Sequence, residues 1–123
     1  MVSVVIGIGS NCGNRKLNVE RAISWLGTIL IEAKSSEIYE TPCALKVGKP
    51  YMNSVVKGFY SGTGIQLENN LKEKEREMGR DSECREKGDV PIDMDLVVMD
   101  GGVIKNWDYR QKFFQIGFQQ ISF

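Results

Sequence analysis

Apolar residues recur along this chain with two different periods, and the order in which those periods alternate leaves few folds open to it. Residues 1–8 are apolar and β-branched, a strand pattern, and they run into the turn formers Gly7-Ile8-Gly9-Ser10-Asn11-Cys12-Gly13-Asn14. Val19, Ala22, Ile23, Leu26 and Leu30 then repeat at the spacing of one helix face, with Gly27 weakening the last turn so that Leu30 falls at its end or beyond. Residues 31–41 mix Ile and Tyr with charges and stop at Pro42, which reads as a strand with a solvated edge or face. A loop over 43–50 precedes a second clear strand at 51–60. Thr63-Gly64-Ile65-Gln66 is a capping box that opens a second helix, which turns Leu67, Leu71 and Met78 inward and stops at Gly79. Residues 80–90 are polar and without period, a loop, and 92–99 is the last clear strand. Beyond it a Gly101-Gly102 turn leads into aromatic and basic residues with no firm period. The order β-α-β-β-α-β predicts an α+β fold: a four-stranded antiparallel sheet with both helices on one face and the other face open for a ligand.

Composition removes several functions. The 123 residues are expected to form one domain. Sixteen Lys+Arg balance sixteen Asp+Glu, which argues against a nucleic-acid partner while leaving room for a local basic pocket. No apolar stretch approaches the roughly 18–20 residues needed to span a bilayer, so no membrane partner is expected. Residues 2–8 lack the flank and cleavage pattern of a signal peptide, and a cytoplasmic location is expected. There is no histidine, which excludes Ser-His-Asp and Cys-His catalysis and His-ligated zinc. Cys12, Cys43 and Cys84 are scattered and odd in number, and read as reduced thiols. Chemistry here falls to carboxylates, arginines, lysines and backbone amides.

The most informative stretch is Pro91-Ile92-Asp93-Met94-Asp95-Leu96-Val97-Val98. Alternate side chains of a strand share a face, so Ile92, Met94, Leu96 and Val98 are expected in the helix-covered core. Asp93 and Asp95 then project together from the opposite face, their Cα atoms roughly 6.6–7 Å apart. Two carboxylates so placed repel each other unless a cation lies between them, and oxygen ligands without His or Cys suit magnesium. A bare D-x-D is more often a solvated pair; the flanking apolar alternation is what gives this pair its direction. Tyr51 and Asn53 share a strand face by the same rule, either as an ordinary exposed pair or as a surface that stacks on and hydrogen-bonds to a flat heterocycle. The glycines from Gly7 to Gly13 have neither the dinucleotide G-x-G-x-x-G spacing nor the Gly-Lys-Ser/Thr of a P-loop, and read as a strand-to-helix turn. Glu73, Glu75 and Glu77 beside Lys72, Lys74 and Arg76 make a solvated helix surface, and Arg80 serves a phosphate or the surface.

Together these stretches resemble one family, the hydroxymethyldihydropterin pyrophosphokinases of folate synthesis. Gly7-Ile8-Gly9-Ser10-Asn11 with Gly13-Asn14-Arg15 looks like its opening, and Ser35-Ser36-Glu37-Ile38-Tyr39-Glu40-Thr41-Pro42 like its second strand and entry to the pterin site. Tyr51-Met52-Asn53-Ser54-Val55-Val56 is similar to its third strand, and Ile92-Asp93-Met94-Asp95-Leu96 to its metal-binding strand. The resemblance implies a ferredoxin-like βαββαβ core. It also implies Mg²⁺-dependent transfer of the β,γ-diphosphate of ATP to the hydroxymethyl group of a reduced pterin, with release of AMP. Asp93 and Asp95 would hold two magnesium ions, and Arg80 would act beside them. Thr41, Pro42, Tyr51 and Asn53 would form the pterin site, and Glu75 and Arg80 would face the nucleotide. Such a reaction rests on positioning and charge neutralisation, which a histidine-free chain can supply.

The sequence also departs from the family. The family's loop Arg and Trp, and the Arg near its first Asp, are replaced by Ser82, Lys87 and Val90. Its later His and Arg on ATP have no counterpart before the sequence ends at Phe123. Gly117-Phe118 echoes its Arg-Gly-Phe segment, whose Phe stacks on the pterin, with Ile116 in the Arg position. Arg85, Lys105, Arg110 and Lys112 are the cations at hand to replace the missing nucleotide contacts, or else an exposed basic tail. Two alternatives stand beside the pyrophosphokinase: a related transferase with a different acceptor or nucleotide, and a non-catalytic pterin- or nucleotide-binding module. For the module, the aromatic segment Trp107, Tyr109, Phe113, Phe114, Phe118 and Phe123 packs on the sheet or pairs two subunits.

Overall fold

Residue alternation builds the centre of the molecule. In the computed structural model, which describes residues 1–45 and 48–121, strand β1 (Val2–Ser10) lies between β4 (Tyr51–Tyr60) and β5 (Asp93–Met99), antiparallel to both. Val4, Ile6 and Ile8 point to one side with Val56, Met94 and Leu96, and onto them pack Val19, Ala22 and Leu26 of α1 (Arg15–Ile29) and Leu67 and Leu71 of α2 (Gly64–Glu77). Both expected helices therefore cover one face. The second has the start that its sequence predicts, and the first is capped by the last of the turn formers before it. Asn14 caps α1 by accepting from the Leu17 amide, and Thr63 and Gln66 close the capping box of α2. Leu30 has left the helix and is extended at its C-cap, and Gly79 takes the left-handed turn, φ +101°, that ends the second.

The sheet has six strands, not four, in the order β2-β4-β1-β5-β6 with β3 also on β4. The expected strand over 31–41 is two strands, β2 (Ile31–Ser35) and β3 (Tyr39–Thr41), both paired with β4. Ser36 divides them. Its hydroxyl accepts from the Val55 amide at 2.9 Å and its own amide donates to the Val55 carbonyl at 2.8 Å. A side chain thus takes the place of a ladder carbonyl, and the chain turns there. The sixth strand is the short β6 (Gly102–Val103) on β5.

Two further corrections concern the polar loop and the open face. Residues Ser82–Lys87 form a helix, α3, capped by Asp81 and ended by Gly88 in the left-handed conformation. The face expected to be open is partly covered by α4 (Asn106–Arg110) and α5 (Lys112–Ile121). Phe114, Gly117 and Ile121 lie on the buried side of α5, and Phe114 and Ile121 pack on Val5, Val55, Val97 and Val98. Val98 was expected among the α1/α2 core residues. A shift of the β1–β5 register between Val5 and Ile6 carries it to the opposite cluster, beside Val97. The aromatic segment packs on the chain's own sheet: Phe114 stacks on Phe118 at 5.2 Å between centroids, and Tyr109 meets Phe118 edge-on at 5.6 Å. Phe123 lies outside the described residues.

Candidate active site

Between the uncovered part of that face and α4–α5 lies a cavity of about 220 Å³. Its floor is β1, and the floor is bare because the residues pointing into it are Gly7 and Gly9. A Cβ at Gly9 would lie 3.2 Å from the Tyr51 ring, and one at Gly7 3.3 Å from the Phe114 ring. These two glycines are strand residues rather than turn residues, and their missing side chains make the space.

One end of the cavity is polar and neutral. Asn53, only 2 % exposed, donates from Nδ2 to Thr41 Oγ1 at 2.7 Å, and also approaches the carbonyls of Tyr51 and Tyr39. That binds β3 to β4 through a side chain and directs the Asn53 Oδ1 toward Gly9 on the cavity floor. Thr41, Pro42, Tyr51 and Asn53, from β3, the residue after it and β4, all line this cavity. So do Phe113, Phe114 and the half-exposed Trp107.

The other end is charged. Asp93 and Asp95 project from β5 into the cavity, as the alternation predicts. Arg80 Nη1 binds Asp93 Oδ1 at 2.8 Å, Glu75 Oε1 at 3.1 Å and the Ile92 carbonyl at 3.4 Å. Lys105 Nζ binds Asp95 Oδ1 at 2.8 Å, with Lys72 Nζ at 3.6 Å from the same oxygen. Burial and the neighbouring Asp95 carboxylate push the Asp93 carboxyl up, against the pull of Arg80. For Asp95 burial acts in the same direction, but the hydrogen bond from Asp93 and the contact with Lys105 outweigh it and hold its carboxyl below the usual range. The two acids thus burden each other, and a cation between them would relieve that repulsion.

Glu75 takes a different position from the one its surroundings in sequence imply. It is 4 % exposed, beneath β5, where Oε2 accepts from the Met94 amide at 2.7 Å and from Lys72 at 3.1 Å. It ties α2 to the residue between the two aspartates and does not line the cavity. Phe118 sits behind the cavity in the aromatic cluster, while Phe113 and Phe114 reach it. Arg110 and Lys112 are exposed and do not line it, nor do Ser82, Lys87 and Val90. Val90 instead helps to frame the approach to β5. Asn11 accepts from its amide at 2.6 Å, donates to its carbonyl at 2.9 Å, and donates to the Gly88 carbonyl at 3.0 Å.

The model of the 7,8-dihydro-6-hydroxymethylpterin-pyrophosphokinase family matches residues 5–121. The chain belongs to that family. A folate synthesis bifunctional protein of Arabidopsis thaliana is 33% identical over 96 residues, covering 76% of this chain and 20% of that protein. The folate synthesis bifunctional protein of Chlamydia trachomatis is 36% identical over 101 residues, covering 76% of this chain and 22% of that protein. A second Arabidopsis relative, whose name adds "mitochondrial", is 35% identical over 97 residues. The chain thus spans about a fifth of the length of the curated relatives it matches. Among the described residues, no helix is long and apolar enough to cross a membrane.

Within this family's frame, the sequence alone missed the place of the two floor glycines, Trp107, Phe113 and Phe114 in the cavity wall, while Lys105, one of the four cations it named, is the one that meets the acids. Glycine at alternate strand positions was the available signal for the floor. For the aromatics it was the spacing of Phe114, Gly117, Phe118 and Ile121, which is that of one helix face.

Proposed function

We propose that this chain transfers the β,γ-diphosphate of ATP to the hydroxymethyl oxygen of 6-hydroxymethyl-7,8-dihydropterin, as a step of folate biosynthesis. The observation that carries the reading is one cavity with two chemically different ends. A flat, glycine-floored slot beside Asn53 and Thr41 runs to a pair of carboxylates. A planar heterocycle suits the first end. Its ring would lie over Gly7 and Gly9 among Tyr51, Phe113 and Phe114, with Asn53 Oδ1 accepting from a ring N–H or amino group. The hydroxymethyl group would then point toward the charged end.

Asp93 and Asp95 fit magnesium, since they supply hard oxygen donors and too few of them to saturate the ion without phosphate and water. Two Mg²⁺ ions, when bound there with ATP, would neutralise the triphosphate and hold it in line. Arg80, fixed by three acceptors, would keep Asp93 in place. In the transfer, the hydroxymethyl oxygen forms a bond to the β-phosphorus while the bond from that phosphorus to the α,β-bridging oxygen breaks. AMP leaves with the electron pair, and the hydroxymethyl proton is lost to solvent. No protein nucleophile is required.

Product analysis with the pterin, ATP and magnesium tests this, with Asp93→Ala as control. AMP and diphosphorylated pterin from the parent chain alone support the transfer. Pterin binding with no AMP would instead support the binding-module alternative, which the exposed positions of Arg110 and Lys112 also favour.

A further inference from the structure

Asp95 already has a cation of this chain upon it. Lys105 Nζ lies 2.8 Å from its Oδ1, and Asp95 is the one hydrogen-bond partner of that ammonium among the described residues. Lys72 stands farther off, at 3.6 Å, and is shared with Glu75 at 3.1 Å and the Met94 carbonyl at 3.4 Å. The main chain of Lys105 is held: the Ile104 and Lys105 amides both donate to the Val97 carbonyl, at 2.9 and 3.4 Å. The β5–β6 hairpin pairs Met99 with Gly102 and Val98 with Val103, and its continuation onto the Val97 carbonyl brings this loop beside Asp95. The charge itself rides on a flexible four-carbon stem whose side chain is one-third exposed.

Asp93 is served differently. Arg80 is bound through Nη1 to Asp93, Glu75 and the Ile92 carbonyl at once, and a guanidinium nitrogen enclosed by three acceptors has little freedom to leave. One acid therefore has a fixed cation and the other a movable one.

Resting on the reading of Asp93 and Asp95 as metal ligands, we propose that Lys105 is a displaceable internal counter-ion of Asp95. It holds the carboxylate while no divalent cation is present, yields it when one arrives, and turns to the phosphate oxygens of the nucleotide that arrives with it. A divalent cation alone must compete with a tethered ammonium. A cation arriving with a triphosphate gives that ammonium a new anionic partner. Cation and nucleotide binding are thereby coupled, each favouring the other. Lys105 acts here as a positioning and selectivity residue that penalises a bare metal ion relative to a metal–nucleotide complex.

Mn²⁺ titration followed by electron paramagnetic resonance tests this on the full chain. It is run without nucleotide and again with a non-hydrolysable α,β-methylene analogue of ATP. Without nucleotide, Lys105→Gln is expected to bind Mn²⁺ roughly five-fold tighter than the parent, or more, because the competitor is gone. Lys105→Met should match it, and Lys105→Arg, which keeps the charge, should stay near the parent. With the analogue present, the advantage of the neutral variants should vanish or reverse. A merely structural role would weaken metal binding in the neutral variants, not strengthen it. Equal or weaker Mn²⁺ binding by both neutral variants without nucleotide would overturn the proposal and leave the metal assignment intact. A parent chain that takes up no Mn²⁺ even with the analogue would overturn the assignment of Asp93 and Asp95, and this proposal with it.

Discussion

Asn53 shows how one buried side chain serves two purposes. Its amide nitrogen closes the β3–β4 pair through Thr41, and its carbonyl oxygen is directed toward the cavity floor. Asn53→Ala should therefore weaken pterin binding and also lower stability by about 1–3 kcal/mol, since the buried Thr41 hydroxyl loses its donor. Denaturant melts give the second effect. Fluorescence titration with a pterin, at a denaturant-free temperature well below the transition, gives the first. Unchanged affinity for Mg²⁺ and nucleotide in the same variant is expected, because Asn53 lies at the opposite end of the cavity from the acids. At this scale the alternation of β5 and of β4 revealed the direction of Asp93, Asp95, Tyr51 and Asn53 from sequence alone. Which cation would meet Asp95 was not readable. Lys105 lies in a segment without period and reaches Asp95 through the return of the β5–β6 hairpin.

At the scale of elements, α5 is the piece that sequence did not reveal, and Gly117 and Tyr39 are what dock it. A Cβ at Gly117 would lie 2.6 Å from Val55 Cγ2 and 2.8 Å from both Ser36 Oγ and Tyr39 Oη. Two of these are packed strand atoms, so Gly117→Ala should push α5 off the sheet. The expected cost is about 1–3 kcal/mol by thermal or denaturant unfolding, together with weaker pterin binding as Phe113 and Phe114 move. A variant with parental stability would show that α5 has room to shift. Tyr39 fastens the same helix: its hydroxyl donates to the Phe113 carbonyl at 2.6 Å and accepts from the Gly117 amide at 3.0 Å. Burial pushes this phenol up to about 12 from an ordinary value of 10.0. The folded chain thus binds the phenolic proton more tightly than the unfolded chain does. That contribution to stability is complete below pH 10 and is lost as pH rises through about 12, at about 1.4 kcal/mol per pH unit at its steepest. Other groups titrate there too, so the quantity to measure is the stability difference between the parent and Tyr39→Phe from pH 8 to 12. It should shrink as the pH rises; a constant difference would mean that Tyr39 has an ordinary pKa. The capping box of α2 and the stripe of α1 were legible because each depends on residues a few positions apart. The division of β2 from β3 depends on the Ser36 hydroxyl meeting Val55, nineteen residues away, and no local pattern carries that.

Over the whole molecule, the sheet separates two layers of unequal strength. The α1/α2 side holds the larger apolar cluster, from Val4 across to Leu96, whereas the α5 side rests on Phe114, Ile121 and four valines. The cavity lies on the weaker side, with Phe113 and Phe114 as part of its wall. Local opening costs less where fewer apolar groups are buried, so the two layers need not open together. In native-state hydrogen exchange the amides of α5 should exchange by a lower-energy opening than those of β1, α1 and α2. On the proposed function, a pterin in the slot would contact α5, β3 and β4 at once and would bind only when they are assembled. It should therefore slow exchange in α5 and in Tyr39–Thr41 while leaving α1 nearly unchanged, by an amount that grows with pterin concentration. Uniform protection across both layers in the free chain would mean that the sheet couples them into a single unit. The covering of the site would then be as rigid as its core, and substrate would have to enter the cavity as it stands rather than by movement of α5.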